Sequence, residues 1–151
     1  VDKNDPVREY YRRRGYASYA IEGGLERLVD GWESSVAELR RGVRLYFIEY
    51  RNDLDRRQII DESRAVASLD QWHAIESRVQ AADAAFIQET IPFHAGLYPP
   101  DAAQAKGWTP TANWWYYRIP KTYEFRGETN EFRAARDGGK GDIQHSPAGE
   151  C

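Results

Sequence analysis

Glu49 and Asp53 stand four residues apart in a stretch of helical character, with Asn52 and Arg56 on the same face by spacing. Two carboxylates one turn apart can converge on a divalent cation. Asp53 also has Arg57 one turn away, and an ordinary i,i+4 ion pair accounts for the acid without a metal. A di-metal bundle would further require Glu-x-x-His pairs on facing helices, and the chain has none. Neither a metal nor a cofactor is expected. Among the histidines, His73 flanks a helical stripe, His145 lies close to the last residue, and His94 follows a proline near a run of aromatics. His94 is therefore the best acid–base candidate, although no Ser-His-Asp or Cys-His arrangement surrounds it. Gly139-Lys140-Gly141 lacks the Ser or Thr that a phosphate loop places after its lysine. An enzymatic reading thus keeps one form, a pocket where Glu49, Asp53 and His94 converge between helices and aromatic segment.

The most unusual local composition is Trp114-Trp115-Tyr116-Tyr117-Arg118-Ile119, closed by Pro120. As an extended strand it would turn Trp114 and Tyr116 to one side and Trp115, Tyr117 and Ile119 to the other. A cation beside π-faces is a frequent anchor at protein interfaces. The competing reading is packing, because large aromatics supply core that a few helices lack. A second aromatic cluster, Tyr10-Tyr11-Arg12-Arg13-Arg14-Gly15-Tyr16, alternates rings and bases as single-strand binders do. Residues 1–20 hold five basic and three acidic side chains. That balance is too weak for a phosphate backbone, and nucleic acid is not the expected partner.

These candidates must be positioned by helices. Leu25, Leu28, Val29, Trp32, Val36, Leu39 and Val43 recur at three- and four-residue steps, as do Trp72, Ile75, Val79, Ala82 and Phe86. The spacing predicts a helix over Leu25–Arg41, started after the Gly23-Gly24 break and stopped by Gly42. A second is predicted over Leu45–Arg57, forming an antiparallel hairpin with the first, and Ile59, Ile60 and Val66 point to further turns at an angle. Ser68-Leu69-Asp70-Gln71 reads as a capping box that opens a third helix, running to Thr90. Asp5, Pro6 and Gly15 have the residue types that start and end a short helix over Pro6–Arg14. Repeated prolines and glycines make residues 92–112 read as loop.

The chain has 151 residues, 41% hydrophobic and 30% charged, which suits a folded domain with a real core. No apolar run approaches the ~20 residues that span a bilayer. The charged first residues do not read as a secretory leader, so cytoplasmic residence is expected. Cys151 is the lone cysteine and forms no intramolecular disulfide. Arginine outnumbers lysine 17 to 4, a bias associated with bacterial genomes of high GC content.

The predicted fold is all-α. An N-terminal short helix or flexible segment spans residues 1–20. A small three- to four-helix bundle spans 21–125, with an extended aromatic arm, Trp108–Ile119, packed across it. A disordered tail covers 126–151. The expected function is that of a non-enzymatic interaction protein of accessory, regulatory or immunity type. It would bind a protein partner, or a second copy, through Trp114, Trp115, Tyr116, Tyr117 and Arg118. The alternative is a ligand-binding or metal-dependent enzyme built on Glu49, Asp53 and His94.

Overall fold

A computed structural model describes residues 5–42, 45–121, 125–130 and 132–137. The fold is mostly helical, as the periodicity predicts. The helices are α1 (Pro6–Arg14), α2 (Ser18–Arg40), α3 (Phe47–Val66), α4 (Leu69–Glu89) and α5 (Pro100–Lys106). Short strands β1 (Leu45–Tyr46), β2 (Thr90–Pro92), β3 (Arg118–Pro120) and β4 (Phe125–Arg126) lie between and after them. No helix among the described residues is long and apolar enough to cross a membrane. The chain divides into two compact units, Val1–Val43 with Asn52–Glu89, and Arg44–Arg51 with Thr90–Cys151.

In the first unit, α1 is capped as its residue types predict. The Asp5 carboxylate accepts the Val7 and Arg8 amides at 2.9 and 3.2 Å, and Gly15 closes the helix at φ +71°. Val7 and Tyr11 are fully buried, so α1 is a packed element and not a loose leader. Gln71 links two caps. Its carbonyl accepts the Ser68 amide at 3.0 Å in the capping box of α4, while its amide donates to Asp5 at 2.8 Å. Helix α2 begins seven residues earlier than predicted. The break is confined to Gly24, at φ +66° and ψ −158°, a conformation essentially reserved for glycine, and the turns on either side of it are helical.

Leu25, Leu28, Val29, Trp32 and Val36 form the buried face of α2, and Ile75, Val79, Ala82 and Phe86 that of α4, as their spacing predicts. Leu39 is only half-buried, and Val43 lies outside the described residues. The Trp32 and Phe86 rings meet at 5.1 Å. Helix α2 packs mainly against α4 and α1, and the predicted contact of α2 with α3 is made through side chains. Small Ala82 and Ala85 are buried on α4, whereas α3 reaches α2 through the long Arg56 side chain. Gly31 makes room for it: a Cβ there would fall 2.7 Å from Arg56 Cδ.

Helix α3 starts at Phe47, two residues after the predicted Leu45, and the further turns expected at Ile59, Ile60 and Val66 are part of it. Leu45 and Tyr46 pair in parallel with Phe125 and Arg126, which delays the helix to Phe47. It then continues without a turn-off to Val66. The apolar stripe fades after Leu54 because Arg57, Gln58 and Ser63 are buried beside Ile60. Polar residues on a buried face carry no hydrophobic period, so the helix outlasts its pattern.

In the second unit, β2 and β3 form an antiparallel pair with Thr90 opposite Pro120, Ile91 opposite Ile119 and Pro92 opposite Arg118. Residues 92–112 are not all loop. Pro100 occupies the first turn of α5 and Gly107 its left-handed C-terminal cap, where proline and glycine delimit a helix instead of breaking one. The predicted tail begins too early as well. Residues 132–137 are helical, the Thr129 hydroxyl accepts the Phe132 amide at 3.1 Å, and Glu128 pairs with Arg133 and Arg136. Phe132 is buried, 4.7 Å from the Phe47 ring and 5.3 Å from that of Phe93. One large aromatic is enough to bring that stretch into the core. Residues 138–151, the rest of the predicted tail, lie outside the described residues.

Candidate interaction cleft

The aromatic run is not an extended arm. Trp114–Tyr117 form a 3₁₀ turn, and only Arg118–Pro120 are strand. Asn113 builds the turn. Its buried carboxamide oxygen accepts the Thr109 amide at 3.0 Å, its own amide donates to the Thr109 carbonyl at 2.9 Å, and its carbonyl accepts the Tyr116 amide at 3.1 Å. In 3₁₀ geometry residues three apart eclipse one another. Trp114 and Tyr117 therefore share one side, and Trp115 and Tyr116 take the other. Burial follows this period of three and not the strand period of two. Trp115 and Tyr116 are 1% and 2% exposed, while Trp114 and Tyr117 are only half-buried.

The run is held against the loop that follows β2. The Phe93 amide donates to the Tyr117 carbonyl at 2.8 Å, and the Leu97 amide to the Tyr116 carbonyl at 2.9 Å, which carries the β2–β3 ladder onward. Gly96, at φ +77°, lets the Tyr117 ring lie over its backbone: a Cβ there would be 2.8 Å from Tyr117 Cε1. On the inner side Tyr116 stacks on Trp108 at 4.4 Å, and Tyr98 meets both rings edge-on at 5.3 Å. The Arg51 guanidinium covers Tyr98 at 4.3 Å. Sequence spacing alone missed this cluster, because Tyr98 and Trp108 are brought to Tyr116 only by α5 and the turns around it.

What remains open is a cleft of about 190 Å³ lined by Pro92, Phe93, His94, Pro110, Trp114, Tyr117 and Arg118. Its walls are flat rings and two prolines. The Arg118 guanidinium is fixed in place, with Nε donating to the Thr90 hydroxyl at 2.8 Å and Nη2 to the Thr90 carbonyl at 3.0 Å. The Tyr50 hydroxyl donates to the Arg118 carbonyl at 2.8 Å. Of the five residues singled out in the run, then, Trp114, Tyr117 and Arg118 line the cleft, while Trp115 and Tyr116 are the core that supports it.

The alternative trio is placed differently. His94 is an exposed wall residue of the cleft, and neither Glu49 nor Asp53 lines it. Glu49 is exposed on the first turn of α3. Asp53 pairs with Arg56 at 3.2 Å, not with Arg57 as its spacing suggests. Burial, with a smaller push from Glu38, holds its carboxyl above the usual range against the pull of Ser35 and Arg56. Arg57 instead crosses to α4, where Nε and Nη2 meet the two Asp83 oxygens at 2.9 and 2.8 Å. Among the described residues no group of three or more His, Cys, Asp or Glu side chains could hold a metal.

The basic–aromatic segment of α1 is tied into its own unit. The Tyr10 and Tyr16 hydroxyls donate to Glu62 at 2.9 and 3.3 Å, and Arg14 approaches the same carboxylate at 3.5 Å. Tyr11 is fully buried and shares a 2.5 Å hydrogen bond with Ser63. Burial holds the Tyr10 and Tyr11 hydroxyls above the ordinary tyrosine range, Tyr10 with help from Glu62. No protein-family model, curated protein or solved structure matches the chain.

Proposed function

We propose that this chain is a small non-enzymatic interaction protein, of accessory, regulatory or immunity type, that binds a protein partner through the cleft between Pro92–His94 and the aromatic run. The observation that carries this reading is the pair Trp114 and Tyr117, two half-exposed rings on one side of a 3₁₀ turn whose other side is locked into the core. Rigid aromatics bind with little loss of conformational entropy, and such anchors dominate interface energies. The hydrogen bonds from Phe93 and Leu97 fix the cleft wall in advance, so little ordering remains for the binding step.

The test separates the two sides of the turn. A Trp114→Ala/Tyr117→Ala variant keeps its helical circular dichroism and thermal transition but loses its partner in affinity capture, by about thirtyfold or more in Kd. Trp115→Ala lowers the melting temperature instead, since it empties a core site. A folded Trp114→Ala/Tyr117→Ala variant that captures every partner of the parent chain would exclude this cleft as the binding surface.

A further inference from the structure

The first unit holds a separate cavity that the interaction reading does not use. It lies beside the Gly24 kink of α2, has a volume of about 230 Å³, and is lined by Asp5, Arg8, Gly24, Leu25, Glu26 and Ile75 among others. We infer that this cavity is a binding site for a free α-amino acid with a small apolar side chain, its carboxylate on Arg8 and its ammonium on Glu26.

The first argument is the pair of charges that the fold leaves open there. Arg8 Nε is buried, makes no hydrogen bond and comes only within 3.5 Å of Asp5 Oδ2. Its two Nη groups have no hydrogen-bond partner among the described residues, so they are available to a carboxylate in the fork geometry that a guanidinium prefers. Asp5 is already engaged, since its Oδ1 accepts the Val7 and Arg8 amides and the side-chain amide of Gln71. Glu26 is exposed at the rim and forms no ion pair with any described residue, Arg8 included. A simple anion in the cavity would meet Glu26 and Asp5, and a simple cation would meet Arg8. A zwitterion satisfies both signs at once.

The second argument is the way the wall is built. Gly24 lets the Arg8 guanidinium lie across the kink: a Cβ there would fall 3.1 Å from Nε and 3.8 Å from Nη2. A glycine-only conformation inside a helix is the kind of backbone strain that gathers at ligand sites. Between the two charges the floor is apolar, with Leu25 6% and Ile75 1% exposed. The cavity is smaller than the roughly 300–1,000 Å³ of sites for drug-sized molecules. Opposite charges at the ends, an apolar floor and little space match a small amino acid better than an inorganic ion or a peptide.

The experiment is isothermal titration calorimetry on the full chain with glycine, alanine, valine and leucine, each as the free amino acid, the N-acetyl derivative and the carboxamide. At least one free form is expected to bind with a Kd of about 1 mM or tighter. Its N-acetyl and carboxamide forms, which each lack one charge, should bind roughly tenfold more weakly. Glu26→Gln, at an exposed position, should weaken the free form by a similar factor and leave the N-acetyl form unchanged. Arg8→Gln should weaken the free form and leave the carboxamide unchanged. The inference is overturned by absence of binding for all four free amino acids, or by an N-acetyl form that binds as well as the free one. A folded Glu26→Gln variant that binds every form as the parent does overturns it too. None of these results bears on the cleft of the second unit.

Discussion

Replacing Asp83 by alanine should be among the most damaging single changes in the first unit. The Asp83 carboxylate accepts three hydrogen bonds: 2.9 and 2.8 Å from Arg57 Nε and Nη2, and 2.9 Å from the indole Nε1 of Trp32. It thereby joins α2, α3 and α4 at one point. The Arg57 side chain is 9% exposed and that of Asp83 17%, so water screens the pair little. Asp83→Ala leaves a guanidinium buried without its counter-charge, which costs about 3–5 kcal/mol, and an indole N–H without its acceptor, about 1 kcal/mol more. For a chain of this length such a loss lowers Tm by about 10–15 °C. Urea unfolding followed by circular dichroism measures it, with the fluorescence of Trp32 as a local reporter. The informative comparison is Arg57→Met/Asp83→Leu. Removing both charges together should cost only about 1–2 kcal/mol, less than Asp83→Ala alone, because no guanidinium is left buried and Asp61, which loses the pull of Arg57, is already raised toward its neutral form by burial. A loss below about 1 kcal/mol for Asp83→Ala would mean that the pair is effectively solvated. A double variant as unstable as the sum of its single changes would refute the reasoning altogether.

Two further outcomes concern the first unit. Gly24→Ala should cost about 1–3 kcal/mol, since its backbone conformation is closed to L side chains and Arg8 Nε would lie 3.1 Å from the new Cβ. Gly15→Ala, at a left-handed cap with nothing within 4 Å of the added atom, should cost only about 1 kcal/mol. Equal melting temperatures for the two variants would contradict the assignment of strain to Gly24. The Asp53 carboxyl is raised by burial, so the native state holds its proton more tightly than the unfolded chain does. That contribution is complete below the ordinary carboxylate value of about 4 and is lost as pH rises through the raised value. The stability of the parent relative to Asp53→Asn should therefore fall as pH is raised from about 4 in urea titrations. A constant difference as pH rises would show that the burial of Asp53 has no energetic consequence.

How much of this was legible in the sequence differs from one element to the next. The α2 stripe from Leu25 to Val36, the α4 stripe from Ile75 to Phe86, the Asp5 cap and the Ser68–Gln71 capping box stand where local pattern puts them, because each depends on contacts within a turn or two of helix. That the turns through Val66 continue α3 instead of branching off at an angle was not legible, since Arg57, Gln58 and Ser63 are buried by partners that lie far away in the chain. Nor was α5, whose delimiting proline and glycine are the same residue types that mark loops. The aromatic run shows the limit most plainly. Its composition marks it as unusual, but a period of two or of three decides which rings face outward, and composition does not contain that choice.

What the sequence by itself determined is the helical class, the buried faces of α2 and α4 and the caps that begin α1 and α4, all consequences of short-range periodicity and backbone chemistry. The tertiary structure decided which charges pair, sending Arg57 to Asp83 and leaving Asp53 to Arg56. It also decided that Trp114 and Tyr117 line a cleft while Trp115 and Tyr116 fill the core. Those outcomes depend on hydrogen bonds between distant segments, such as Phe93 to Tyr117 and Leu97 to Tyr116, and on the space that Gly96 leaves for a ring. Such long-range partners leave no period in the chain, and only the folded backbone brings them together.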